Sequence, residues 1–271
     1  MKRPLVVAAT ALCLSAVLAP ADAKAQSTDQ WNFAANIYGW FPSISGKATF
    51  PPTGETSEIS VDASKLIKNL KFVFMGTLDA RKGRWGAFTD IVYTDVGDSK
   101  SETRDLTIGG RPLPGSVNAN VNLDVKNWVW TLAGYYRFME QPGFALDALA
   151  GVRYLDIQQK LSWELTGNIG DLPLPGRDGS GEVSDSSWDA IVGVKGRFAF
   201  GANHAWFVPY YVDVGTGQSD LTWQAMAGLG YRFNWGEIIG AWRYLDYDFD
   251  SGKPMEDMTM SGPAVAVVFR W

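Results

Sequence analysis

Apolar and polar residues alternate with a period of two along most of this chain, and the apolar rows run long. One row reads Phe72, Phe74, Gly76, Leu78, Ala80, with Lys71, Met75, Thr77, Asp79 and Arg81 on the other face. Another reads Trp128, Trp130, Leu132, Gly134, Tyr136, Phe138. A third runs Phe144, Leu146, Ala148, Ala150, Val152, Tyr154 against Asp147, Gly151 and Arg153, and residues 188–198 and 221–233 follow the same rule. This period belongs to strands with one apolar face. It predicts ten of them, near 31–41, 70–82, 84–97, 121–138, 144–160, 186–200, 206–216, 220–234, 237–248 and 258–271. Short connections fall near 82–83, 139–143, 201–205 and 234–236. Long ones fall at 42–69, 98–120, 160–186 and 249–257, with 216–219 as the exception.

The fold class this predicts is all-β: an antiparallel up-and-down transmembrane β-barrel of about ten strands. Eight or twelve stay open, because 42–69 has room for another hairpin. Tight turns at one end and long loops at the other are the mark of such barrels, and each strand exceeds the ~9–11 residues needed to cross. No stretch of the mature chain approaches the ~18 uninterrupted apolar residues of a spanning helix. A lipocalin-like barrel or a β-sandwich also alternates, but it turns its apolar face inward. Here the 12 tryptophans fall mainly on apolar faces, and aromatics gather at the ends of the rows, where a membrane interface places them.

The N-terminus supports the membrane choice. Met1-Lys2-Arg3 is basic, Leu5 to Leu18 is apolar, and small residues follow at Ala21-Asp22-Ala23 and Ala23-Lys24-Ala25. The pattern predicts a secretory signal removed as residues 1–25, leaving 26–271 as one barrel domain. Removal takes three basic residues and one acidic one from totals of 24 and 29, for a net charge of −7. The acidic balance argues against nucleic acid as a partner. Cys13 leaves with the signal, so no disulfide braces the mature chain.

At the other end, Val265-Ala266-Val267-Val268-Phe269-Arg270-Trp271 alternates up to a large aromatic. In water an uncovered edge beside an exposed indole is a liability. The segment resembles the C-terminal strand of bacterial outer-membrane β-barrels, whose final aromatic the barrel-assembly machinery recognises. The mature chain is similar at class level to small barrels of the OmpA, OmpX and OmpW kind. The resemblance implies a Gram-negative outer-membrane location, contact with outer-membrane lipid and lipopolysaccharide, and an assembly signal at Phe269 and Trp271. Strands entering short turns end alike, in Arg137-Phe138, Arg197-Phe198, Arg232-Phe233 and Arg270-Trp271. An aromatic at the periplasmic interface with its neighbour turned inward explains all four. Two further echoes link Gly151-Val152-Arg153-Tyr154-Leu155-Asp156 to Ala241-Trp242-Arg243-Tyr244-Leu245-Asp246, and residues 108–115 to 169–176.

Candidate functional residues lie first in the interior. With the apolar rows outward, Asp79, Asp90, Asp147, Asp189, Asp213 and Glu237 point inward. So do Arg81, Arg137, Arg153, Lys195, Arg197, Arg232, Arg243 and Arg270. Such a lumen charge network either pairs into a plug, since unpaired buried charge is costly, or lines a narrow polar channel. Catalysis finds little footing. Phospholipase-type barrels use Ser with His, and omptin-type proteases use Asp with His on the outer rim. The one histidine here, His204, falls in a turn on the periplasmic side. Asp246, Asp248 and Asp250 share a face at the outer end, but they lack the spacing of a calcium loop, so no metal or cofactor is assigned. These patterns predict a non-enzymatic barrel that is either a porin-like passive channel or an envelope-integrity or surface protein. The alternative is adhesin- or receptor-type binding through loops 42–69, 98–120 and 160–186. An outer-membrane hydrolase is a remote third reading.

Overall fold

A computed structural model of the chain describes residues 30–50, 55–61, 63–68, 70–108, 111–169, 172–201, 203–249 and 255–271. In chain order the elements are β1 (Trp31–Trp40), β2 (Ser43–Phe50), β3 (Glu55–Val61), α1 (Ala63–Lys68), β4 (Leu70–Lys82), β5 (Trp85–Ile108) and β6 (Arg111–Gln141). Then come β7 (Phe144–Ile169), β8 (Leu172–Phe200), β9 (Trp206–Gly217), β10 (Leu221–Arg232), β11 (Glu237–Asp248) and β12 (Met255–Arg270). Each strand from β4 to β12 pairs antiparallel with the next, and β1 pairs with both β4 and β12. Ten strands thus close an antiparallel up-and-down transmembrane barrel. The predicted signal segment 1–25 lies outside the described residues.

Alternation carries the fold. Ile37, Leu78, Val192, Val212, Leu229 and Val265 stand exposed on the outer wall, with Val192 at 58% and Ile37 at 64%. Aromatics bracket this aliphatic band. At the short-turn end Trp85 meets Tyr136, Trp206 meets Tyr231 and Phe33 stacks on Trp271. Toward the other end Tyr93 meets Trp128, Tyr154 meets Trp188 and Trp223 stacks on Tyr244. Water would make so continuous an apolar wall costly, whereas hydrocarbon flanked by interfaces matches it. At the short turns, Gly83 and Gly143 take φ of 60° and 81°, which lets two strands reverse within a few residues.

Two sequence expectations need correction. Residues 98–120 and 160–186 were expected to be loops, yet β5 to β8 run on as paired strands to ladders at Ile108↔Arg111 and Ile169↔Leu172. A strand past the membrane is wet on both sides, so its sequence loses the apolar alternation by which strands are found. The last strand likewise begins at Met255, before the expected 258. The span 42–69 does contain the extra hairpin, formed by β2 and β3, and short α1, but the hairpin does not enlarge the barrel. It rides on the upper half of β12, which pairs with β2 from Met255↔Ala48 to Ser261↔Ser43 and with β1 from Ala264↔Trp40 to Arg270↔Ala34. The change of partner falls at Phe41-Pro42. Gly262 makes room there: a Cβ on it would lie 2.2 Å from the Phe41 carbonyl oxygen.

Candidate functional site

The interior is built in three levels. At the short-turn end the repeated Arg–aromatic strand endings turn their aromatics out, with Phe138, Phe198, Phe233 and Trp271 exposed, and their arginines in. Three of these arginines converge on one carboxylate. Glu237, buried at the start of β11, accepts hydrogen bonds from Arg197 and Arg270 at 2.9 and 3.0 Å and from Arg232 Nε at 3.2 Å. The fourth, Arg137, makes a two-pronged pair with Asp147 at 2.7 and 3.1 Å and reaches Glu140 at 3.1 Å. Bidentate geometry of this kind suits the planar guanidinium. The four arginines, Glu140 and Asp147 line a vestibule of about 750 Å³ open at this end.

Above them Lys195 donates to Asp79 at 2.5 Å and lies 3.7 Å from the Tyr135 ring centroid, while the Tyr135 hydroxyl donates to Asp79 at 2.7 Å. The middle level holds two buried pairs. Arg243 reaches Asp90 at 2.9 Å, Gln224 at 2.8 Å and the Tyr38 oxygen at 2.8 Å, and its guanidinium sits 4.7 Å over the Trp40 ring. Asp90 also accepts from Tyr38 and Thr77 at 2.7 and 2.9 Å. Arg153 pairs with Asp213, which also accepts the Tyr211 hydroxyl, and the Arg153 and Asp213 side chains have no exposure at all. Thr222 and Thr131 accept from Arg153 Nη1 and Nε at 3.3 and 3.4 Å. Charges this deep persist because each is paired with an opposite charge and every guanidinium nitrogen has a partner.

The third level is apolar. Trp40, Met75, Val92, Val129, Leu155, Ile157, Leu245, Tyr247, Met258 and Met260 point inward from the upper halves and ends of seven strands and form one buried cluster. It lies directly beyond the arginine pairs, toward the long hairpins. Sequence reasoning missed this layer, although the repeat Arg-Tyr-Leu-Asp encodes it. In both copies Arg points inward to the charged level, and two residues on Leu155 and Leu245 point inward to the apolar one, at 2% and 0% exposure. The intervening Tyr faces outward, and its hydroxyl bonds the outward Asp, Tyr154 to Asp156 at 3.4 Å and Tyr244 to Asp246 at 3.1 Å. The tyrosine and threonine partners of the buried charges were also missed, because short-range spacing carries no trace of contacts across a barrel.

The predicted charges do not form one network. They fall into the Glu237 and Arg137–Asp147 groups, the Lys195–Asp79 pair and the two arginine pairs. Two stand apart from any ion pair among the described residues: Arg81 donates to the Gly83 carbonyl at 2.8 Å, and Asp189 accepts from Ser187 and the Ser219 amide at 3.0 and 2.9 Å. His204, at φ 48°, sits in the turn between β8 and β9 and borders the vestibule. Asp246 accepts Thr259 at 2.6 Å, Asp248 is exposed, and Asp250 lies outside the described residues. Among the described residues no three His, Cys, Asp or Glu side chains gather as metal ligands.

No family model matches the chain, and no curated protein matches its sequence. Solved structures do. The outer-membrane protease OmpT from Escherichia coli superposes with a TM-score of 0.51 over 90% of this chain and 97% of its own, at 9% identity. The fold is that of the outer-membrane β-barrels. Looser likenesses, too weak to argue from, are the translocator domain of the autotransporter NalP from Neisseria meningitidis (TM-score 0.37, 14% identity, 89% and 88% covered). The attachment invasion locus protein Ail of Yersinia pestis is another (TM-score 0.33, 10% identity, 90% and 99% covered).

Proposed function

We propose that this chain is a closed, non-enzymatic barrel of the Gram-negative outer membrane that acts at the cell surface through the sheet formed by β5 to β8. The observation that carries this reading is the double seal of the interior. A channel needs a continuous wet path, and here buried arginine pairs cross the middle level, leaving a cavity of about 180 Å³ beside Arg243, while an apolar layer covers them. The seal weighs against the porin-like alternative. Above it, a strand of 31 residues such as β6 covers on the order of 100 Å at ~3.3 Å per residue. The apolar band of an outer-membrane barrel is only about 25 Å tall. The excess projects as a paired, four-stranded sheet, and recognition surfaces commonly sit on such extensions of a rigid scaffold.

In this reading the short-turn end faces the periplasm and the signal segment 1–25 is removed on export. Phe269 and Trp271 present the final strand to the assembly machinery. His204 then lies at the periplasmic mouth, away from any outer-rim chemistry. Purified protein in planar bilayers is expected to be electrically silent at every voltage, and discrete conductance steps would overturn the proposal. Removing residues 108–115 and 169–176 should leave the barrel folded while abolishing adhesion of expressing cells to coated surfaces. Undiminished adhesion by the trimmed barrel counts against the surface role.

A further inference from the structure

The barrel wall carries an opening. The ladder between β1 and β4 stops at Ile37↔Gly76, although β1 continues to Trp40 beside β12 and β4 continues to Leu70 beside β5. Across the gap the Trp40 amide donates to the Met75 sulfur at 3.1 Å, a side chain standing where a strand carbonyl belongs. A cavity of about 230 Å³ occupies the wedge. Its lining joins both faces of the wall: Ile37, Phe41 and Phe74 are exposed on the outside, while Trp40, Met75 and Met260 belong to the buried interior cluster. The Phe41 ring folds back over Gly39, within 2.9 Å of where a Cβ would sit, so glycine makes room for the ring at this flank of the opening. Ala63 of α1 borders the same cavity.

Tyr38, Thr94 and Asn127 bring polar groups to this otherwise apolar lining, and the Tyr38 hydroxyl is already committed to Asp90. Asn127, 6% exposed, turns its carboxamide into the cavity wall. Among the described residues its Nδ2 reaches only the Met260 sulfur, at 3.7 Å, and its Oδ1 has no partner. A buried amide oxygen left unbonded costs about 1–3 kcal/mol, so the site is incomplete without a ligand group. We infer that this wall cavity is a binding site for a small, mostly apolar molecule carrying one hydroxyl, such as an alkylphenol. The volume exceeds the ~150 Å³ of an apolar cavity that accepts benzene, which leaves room for a ring and a short substituent. A hydroxyl both donates and accepts, so it satisfies the carboxamide in either orientation. A lipid acyl chain has no such group and leaves Oδ1 unsatisfied. The cavity opens level with Phe74, Tyr93 and Trp128, which lie opposite one another across β4 to β6 in the aromatic band away from the short turns. Amphipathic phenols concentrate at that interfacial depth.

The test is saturation-transfer NMR with 4-ethylphenol and with ethylbenzene on the full barrel in lipid nanodiscs, with protein-free discs as the partition control. The barrel should bind 4-ethylphenol above the control and at least tenfold more tightly than ethylbenzene. Asn127→Leu should remove that preference while ethylbenzene still binds, and Ala63→Trp, which narrows the cavity without touching Asn127, should weaken both. Retained heat-modifiable migration of each variant on gels shows that it has folded. Signals equal to those of protein-free discs, or phenol binding unaltered in both folded variants, overturn the inference. So does an acyl chain that 4-ethylphenol fails to displace.

Discussion

The two halves of the interior solve one problem with opposite chemistry. Toward the short turns, the space is filled by charge: Glu237 under three arginines, Arg137 against Asp147, and then Arg243–Asp90 and Arg153–Asp213. Toward the hairpins it is filled by Val129, Leu155, Leu245, Tyr247 and Met260, which make no ion pairs. The charged half is specific and strongly dependent on every partner, since losing one ion strands another. The apolar half tolerates imperfect geometry but not lost volume. A barrel that needs only to be shut could use either; having both in series makes the closure robust to a single change.

The sharpest way to break this comparison is to remove one member of the deepest pair. Arg153→Met leaves Asp213 charged and buried, and should cost about 3–5 kcal/mol in urea unfolding of vesicle-refolded protein. Adding Asp213→Leu should recover most of the loss, because two apolar side chains of similar volume replace the pair at little net cost. A single variant that unfolds like the parent would show that water reaches the pair. In the apolar half, Leu245→Ala should cost about 2–5 kcal/mol, with no second-site charge change able to rescue it. The smallest effect is expected at the open end. Arg232, with a side chain 47% exposed, shares Glu237 with two other arginines. Its change to Gln should alter stability by less than about 1 kcal/mol, and a larger loss would mean that the vestibule is drier than its opening suggests.

The same contrast explains what could be read from the chain and what could not. The barrel class, the inward side of all fourteen charges and the short turns follow from alternation and from glycine-bearing reversals such as Lys82-Gly83, which are local signals. The apolar layer was legible in principle, since Arg243, Leu245 and Tyr247 succeed one another on one face, but the charges dominate that face and the apolar residues among them carry no separate signal. Ion-pair partners were not legible. Arg243 and Asp90 meet across the lumen from strands far apart in sequence, and no spacing rule encodes a diameter. The wall opening was hidden for a related reason. It depends on where β12 exchanges β1 for β2, which is a property of pairing and not of composition.

That exchange also orders events in time. The seam joins Ala34 to Arg270 and Phe33 to Trp271, whose backbones exchange hydrogen bonds at 2.8 and 3.1 Å. Every other wall contact joins strands consecutive in the chain, except β1 with β4, which bridges only the inserted hairpin and α1, and each can form as soon as both strands exist. Closure alone waits for residues separated by nearly the whole sequence, the contact with the greatest loop-closure entropy and the slowest to form. Until then β1 and β12 are two open edges at membrane depth, and the hairpin of β2 and β3 has no strand to rest on. The seam is therefore the kinetic bottleneck of this fold, and its last residues are the ones that a folding catalyst has most reason to hold.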